Sequence, residues 1–362
     1  MSQRPFLIVL GQAVPRGEIS LKARTPNLRG ATIAGTGSAV PERILTNFDL
    51  EKMVDTSDEW IVERTGIRER RIAAEGTVTS DLAKEAALKA LDDAGMTASE
   101  LDIIIVATVT PDTIFPSCAC VVQGEIGADN AAAFDISAGC TGFVYALSVA
   151  RDLVASGRYD NVLVIGAETL SKIVDWEDRN TCVLFGDGAG AAVIRPCALG
   201  EGIIECVLRS DGARGDVLVL PAGGSRMPAS RKTVESRLHY IQMKGNLVYR
   251  FAVRVMVDAA REVLDKANLS EEDIDYVIPH QANQRLVELA GERLGIPDKI
   301  YSNIARLGNT SAASIPIALD EAAGSGILKN GDMVLLVGFG AGLTWGSAIL
   351  KWSKEQKDSG GM

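Results

Sequence analysis

Leu91-Asp92-Asp93-Ala94-Gly95-Met96-Thr97-Ala98-Ser99-Glu100-Leu101-Asp102 returns, 173 residues later, as Leu264-Asp265-Lys266-Ala267-Asn268-Leu269-Ser270-Glu271-Glu272-Asp273-Ile274-Asp275. Each copy reads as the end of a helix, a turn, and an acidic step into an apolar run. A second echo follows: Asn161 to Gly166 recurs as Asp332 to Gly338, with the closing glycines 172 residues apart. Two separated matches at nearly one offset indicate a duplicated unit, and a period this long is not that of a solenoid. The expected chain is an N-terminal extension over 1–28, one α/β half over 29–200, a second over 201–354 and a tail over 355–362.

Around these echoes, strand-like runs alternate with helical periods, the pattern of an α/β protein. Strands are expected at Ala31 to Gly35, Leu101 to Val109, Ala131 to Ile136, Asn161 to Gly166 and Ala189 to Ile194. Ala131 to Ile136 reads as buried. Helices are expected at Asp58 to Thr65, Ser80 to Ala94, Phe115 to Ile126, Thr141 to Ala155 and Leu247 to Ala267. Asp211 to Met243 has no clear period; it reads as a long loop, either a lid or plain surface.

The net charge of −10 weighs against a nucleic-acid or membrane partner, because phosphate-rich surfaces would be repelled without a local basic patch. No apolar run reaches membrane-spanning length. The six cysteines show neither zinc nor CxxC spacing, and the chain has only two histidines, so no metal site is expected. Reduced thiols in the cytoplasm are the simplest account.

Cys140 falls where the run Ala131 to Ile136 passes through small residues into the period Phe143, Leu147, Ala150 and Val154. A helix N-terminus favours thiolate over thiol, so Cys140 is a candidate nucleophile; taken alone, it reads first as a small buried hydrophobe. His280 follows the strand Asp275 to Ile278, and Asn309 lies in the loop Leu307 to Ser314 ahead of a helix. Taken singly, His280 reads as a structural histidine and Asn309 as a turn residue. The repeat changes this: Cys140 shifted by 172 falls on Ala312, in the Asn309 loop, and His280 shifted by 173 falls on Ala107, at the end of the matching strand. A pseudo-dyad would therefore bring Cys140, His280 and Asn309 together. Imidazole and carboxamide can donate to a developing oxyanion, and imidazole can also help deprotonate a thiol. Acyl transfer and hydrolysis both remain open.

Four ordered motifs, Asp135 to Gly142, Pro279 to Asn283, Gly308 to Ser314 and Gly338 to Gly346, together with Val54 to Arg68, resemble the β-ketoacyl-acyl-carrier-protein synthase III family over about Leu28 to Trp352. The resemblance implies a thiolase-like αβαβα layered fold, a homodimer, and the condensation that starts type II fatty-acid synthesis. It makes Cys140 the acyl carrier for acetyl-CoA or another short acyl-CoA, with Cys140 and Ala341 N–H groups facing the oxyanion. His280 and Asn309 would stabilise the enolate formed when malonyl-acyl-carrier protein loses carbon dioxide, with Asn283 and Phe339 in support. The CoA thioester is a substrate, and no cofactor is implied.

For the CoA entrance, the resemblance maps Trp60 and Arg179 onto the pair flanking adenine, Thr56 and Arg64 onto the phosphate end, and Asn246 onto the pantetheine arm. Phe115 resembles a residue that crosses the dimer interface to close the acyl pocket. Carrier protein is acidic and needs a basic patch. Arg285 is the nearest match to the family's docking residue, with Arg293, and with Arg250 and Arg254 one helical turn apart. The alternatives are a thiolase-fold acyltransferase of secondary metabolism using longer acyl-CoAs, a Cys-His-Asn thioester hydrolase, and a noncatalytic CoA-binding homologue.

Overall fold

A computed structural model describes residues 28–354. The expected extension, apart from Leu28, and the tail from residue 355 lie outside the described residues.

Nine strands form one continuous sheet. In spatial order they are Tyr276–Pro279, Met333–Gly340, Thr344–Lys351, Gly202–Ser210, Gly30–Ala39, Gly188–Cys197, Val162–Glu168, Ile103–Ala107 and Ala132–Ile136. The duplication is visible in this order. Reading outward from the parallel bridge Ala31–Gly202, each side has an antiparallel strand, then another antiparallel to it, then a parallel one. Ala132–Ile136 extends the first side, whereas the second carries only the single bridge Val277–Ile300 there.

Strand side chains alternate between faces, and each set finds a different core. Ile103, Ile105, Val334 and Leu336 pack into a central core with the helices Gly142–Ala155 and Ser314–Gly324. Ile104 and Val106 face outward onto helices Thr79–Ala94 and Cys118–Ile126. Leu335 and Val337 face helices Gly245–Ala267 and Gln284–Leu294. Helix, sheet, helix, sheet, helix: these are the five layers. The central helices lie between two sheet faces and are therefore apolar nearly all round. They approach closely because the sheet offers glycine beneath them; a Cβ on Gly166 would lie 2.2 Å from the Ala312 carbonyl oxygen.

Three expectations are corrected. The run Ala131 to Ile136 is not buried: it forms the sheet's outer edge, and Phe134 is 38% exposed. An apolar run does not distinguish a core strand from an apolar edge. The helix expected from Phe115 starts at Cys118, because Pro116 precedes the Ser117 cap, whose hydroxyl accepts from Cys120 N–H. Finally, Asp211 to Met243 is not a featureless loop. It contains a two-stranded ribbon, Leu218–Val219 with Gln242–Met243, and the capped helix Arg231–Glu235. It is pinned by Arg237 to Asp175 and by Ile241 N–H to the Ile173 carbonyl.

Candidate active site

Each half enters its buried helix through one tight turn, and the two turns pack against each other. The turns are Gly139–Thr141 and Ser311–Ala313. Cys140 lies in the first, and Asn309 just ahead of the second. Two glycines let the end of Met333–Gly340 press against the cysteine. A Cβ on Gly340 would lie 2.4 Å from Cys140 N, and one on Gly139 would lie 2.7 Å from Ala341 N. Gly139 also has φ +56°, which a side chain rarely tolerates.

A cavity of about 540 Å³ crosses the two halves. Cys140, His280, Asn309, Phe339 and Gly340 line its depth, and Trp60, Arg64, Asn246, Asn283 and Arg285 also line it. Asn309 is held by the first half: its N–H donates to the Leu184 carbonyl at 2.8 Å, and its carbonyl accepts from Gly186 N–H at 3.0 Å. Its Oδ1 accepts from Ser311 N–H at 2.9 Å, which leaves the Nδ2 donors for the cavity. His280 is set by its N–H bond to the Val337 carbonyl at 2.8 Å and by the Phe339 ring, edge-on at 5.4 Å.

Burial governs the electrostatics. It pushes the His280 imidazole down to about 3, so the ring is neutral across the physiological range. Nδ1 is buried without a partner; a bare lone pair costs less than an orphaned N–H, which favours the proton on Nε2. Burial also pushes the Cys140 thiol up to about 12, opposed by a Ser311 hydrogen bond and reinforced by the Glu168 charge. This corrects the expectation of a resting thiolate: desolvation outweighs the helix N-terminus.

Trp60 and Arg64 ride on Asp58–Thr65, which is capped by Ser57 and ended by Gly66 at φ +74°. The Arg64 and Arg179 guanidiniums lie 4.9 and 5.3 Å from the Trp60 ring centre. Arg179 is also held by Asp55 at 3.3 Å. Asn283 caps Gln284–Leu294 and donates to the Arg64 carbonyl at 2.8 Å, tying this helix to the His280 segment. Thr56, Arg179 and Phe115 are not among the cavity-lining residues; Thr56 Oγ1 is buried without a partner, and Phe115 is 85% exposed. Arg250 and Arg254 line a neighbouring groove with Arg214, and Arg293 is exposed at the far end of the Gln284–Leu294 helix. Two polar residues missed in the sequence reading also belong here. Ser311 holds the Asn309 Oδ1 through its N–H and donates its hydroxyl to Glu168 at 3.0 Å, and Glu168 closes the apolar strand Val162–Glu168, where a lone carboxylate is itself a signal.

A duplicated five-layer α/β fold with a cysteine, a neutral histidine and an asparagine on one cavity defines a thiolase-like acyltransferase. The model of 3-oxoacyl-[acyl-carrier-protein (ACP)] synthase III matches residues 134–212, and that of its C-terminal part matches 264–352. The chain belongs to the β-ketoacyl-[acyl-carrier-protein] synthase III family. The enzyme of that name from Caldanaerobacter subterraneus subsp. tengcongensis is 62% identical over 325 residues, 90% of this chain and 98% of its own length. The crystal structure of 3-oxoacyl-[acyl-carrier-protein] synthase III from Aquifex aeolicus VF5 is 49% identical, with a TM-score of 0.82, covering 89% of this chain and 100% of that one. A priming β-ketosynthase from a polyketide biosynthetic pathway is 36% identical, with a TM-score of 0.86, covering 92% of this chain and all of its own.

Proposed function

We propose that this chain condenses acetyl-CoA, or another short acyl-CoA, with malonyl-acyl-carrier protein through an acyl-Cys140 intermediate. One observation carries the reading: Cys140 from the first half shares a cavity with His280 and Asn309 from the second. Cys140 sulfur attacks the thioester carbonyl, and the oxyanion forms against the backbone N–H groups of Cys140 and Ala341, whose main chains lie side by side. CoA leaves, and the malonyl thioester takes its place. The neutral His280 Nε2–H and the Asn309 Nδ2–H donate to the enolate oxygen as carbon dioxide departs. The carbanion then attacks the acyl-Cys140 carbonyl and frees the sulfur. Phe339 fixes the His280 ring, and Asn283 joins the His280 segment to the helix bearing Trp60 and Arg64.

CoA enters as a substrate past Trp60, Arg64 and Asn246, with Thr56 toward its phosphate end. An adenine between Trp60 and Arg179 needs two stacking contacts, about 7 Å in all. Arg179 stands 5.3 Å from the ring centre, so it must swing away from Asp55. Arg285 at the cavity receives the acidic carrier protein, with Arg250, Arg254 and Arg293 around it. The exposed apolar edge at Ile114, Phe115 and Phe134 pairs with a second copy, placing Phe115 against the partner's acyl pocket. The free cysteines agree with a cytoplasmic location.

The test is intact-protein mass after mixing with acetyl-CoA, with Cys140→Ala as control, followed by malonyl-carrier protein. An acetyl adduct that disappears as acetoacetyl-carrier protein forms is the expected result. An adduct only with long acyl-CoA would move the enzyme toward the alternative of a secondary-metabolism acyltransferase, and no adduct with any acyl-CoA would overturn the reading.

A further inference from the structure

The two oxyanion donors, Cys140 N–H and Ala341 N–H, sit on opposite sides of the seam between the halves, and one hydroxyl spans them. It belongs to Thr344, a buried residue that opens the strand Thr344–Lys351 and that the reaction just described does not use. Its Oγ1 lies 2.7 Å from the Ala138 carbonyl oxygen and 3.0 Å from the Ala341 carbonyl oxygen. A carbonyl can only accept, so the single Thr344 proton is shared between these two, with Ala138 the nearer. That makes the fully buried Thr141 the donor in its own 3.1 Å contact with Thr344 Oγ1, and its hydroxyl also reaches the Thr344 carbonyl at 3.3 Å. Ala138 stands two residues before Cys140, and Ala341 carries the second donor itself. The Thr344 hydroxyl therefore grips the main chain beside each of the two N–H groups.

Those groups must converge on one oxygen, each about 2.7–3.1 Å from it. Close packing alone does not set that convergence. Gly139 and Gly340 let the two main chains touch, since a Cβ on either would lie 2.7 or 2.4 Å from a backbone nitrogen across the seam. Packing brings the chains together, whereas a hydrogen bond also fixes their direction. On the side of the second half, the turn is tethered at Leu343, which exchanges main-chain hydrogen bonds with Asp211 at 2.8 and 3.1 Å. Gly342, at φ +138°, separates that tether from Ala341, and its missing side chain makes room for Thr344, whose Cγ2 would lie 2.7 Å from a Cβ there. We infer that the Thr344 hydroxyl sets the spacing of the Cys140 and Ala341 N–H groups and so holds the oxyanion hole in register while an acyl carbonyl is attacked. This rests on the condensing-enzyme reading above. Thr344 acts through Ala138 and Ala341 and is therefore a positioning residue. A neutral hydrogen bond of this kind adds only modestly to stability, so its use here is directional.

The test separates attack on a carbonyl from attack on saturated carbon. p-Nitrophenyl acetate acylates Cys140 by way of an oxyanion, whereas iodoacetamide alkylates the same sulfur by displacing iodide and forms none. Both are read by peptide mass, because Cys120 is also exposed, and acetyl-CoA loading is measured beside them. The full-length wild type is compared with Thr344→Ala, Thr344→Val and Thr344→Ser. Alanine removes the hydroxyl and leaves no bulk against the two carbonyls; valine fills the same space and carries the test alone should the alanine variant fail to fold. In both, acylation by either acetyl donor should fall about 10- to 100-fold, up to the loss of one oxyanion donor. Alkylation should stay within about threefold of wild type, as should KM for acetyl-CoA. Thr344→Ser keeps the hydroxyl and should load like wild type. Acylation within about threefold of wild type in either folded variant lacking the hydroxyl overturns the inference. So does an equal loss of acylation and alkylation, which would reduce Thr344 to a prop for the cysteine turn, and so does a serine variant as slow as the alanine one. A wild type that takes acetyl from the nitrophenyl ester but never from an acyl-CoA would fail the function reading, while the ratio of acylation to alkylation in the variants still decides this one.

Discussion

Gly340→Ala tests whether the close approach of the two halves sets the nucleophile. The new Cβ would lie 2.4 Å from Cys140 N, 3.0 Å from its Cβ and 3.1 Å from its Cα, whereas ordinary contact begins at 3.4 Å. The glycine is not among those with positive φ, so alanine brings no backbone strain, only this overlap. Relief requires a shift of about 1 Å between the strand end and the Cys140 turn. Overpacking of this kind costs about 1–3 kcal/mol of stability. Misplacing a reacting group by about 1 Å costs about a hundredfold in rate, so loading should suffer far more than folding. Gly338→Ala is the control on the same strand: its Cβ would meet Ile315 Cδ1, Thr141 Cα and the Cys140 carbonyl oxygen at 3.5 to 3.7 Å, ordinary contacts. Urea unfolding and acetyl-adduct formation by intact mass would be measured on both variants. Loading by Gly340→Ala within about threefold of wild type would refute the steric reasoning, as would an equal loss in Gly338→Ala.

Trp60→Ala should raise KM for acetyl-CoA by about 5- to 150-fold, the range of one base–aromatic stacking contact, and leave a short thioester lacking the nucleotide unaffected; equal loss with both would place Trp60 in the core rather than at the entrance. Arg285→Glu should raise KM for malonyl-carrier protein while acetyl-CoA loading continues, and steady-state kinetics on the two half-reactions would show whether both fall together instead. His280 carries a pH signature: its folded value of about 3 lies below the unfolded 6.5, so its stability contribution is complete above pH 6.5 and drains as pH falls toward 3. Between pH 6.5 and pH 5, wild type should lose about 2 kcal/mol more than His280→Asn in urea titrations, and parallel curves would show that the imidazole is not buried neutral.

The duplication was legible because backbone geometry repeats even where side chains do not. An offset of 172 carries Gly139–Thr141 onto Ser311–Ala313 and Gly142 onto Ser314, so sequence arithmetic alone placed Cys140 opposite the Asn309 loop. What escaped the sequence depends on what surrounds a residue rather than on its neighbours in the chain. The apolar run ending at Ile136 looks the same whether its far side meets a helix or solvent. Cys140 looked activated because helix polarity can be read from sequence, while desolvation, which here outweighs it, cannot. Glu168 and Ser311 lie 143 residues apart, and only the fold brings them together.

One cause, burial, makes two demands on this site, and they conflict. A carbanion equivalent must be kept from water, and a malonyl carboxylate is pressed to leave when its surroundings hold no cation to match it. The depth of the cavity fits both needs: His280 is neutral, Asn309 and the Cys140 and Ala341 backbone offer only uncharged donors, and Arg64 and Arg285 are exposed residues of its wall. Decarboxylation spreads the carboxylate's charge onto an enolate oxygen that those donors can satisfy. The same dryness opposes the first half-reaction, because it raises the thiol that must become a nucleophile. A cationic histidine would solve that problem and spoil decarboxylation by stabilising the carboxylate.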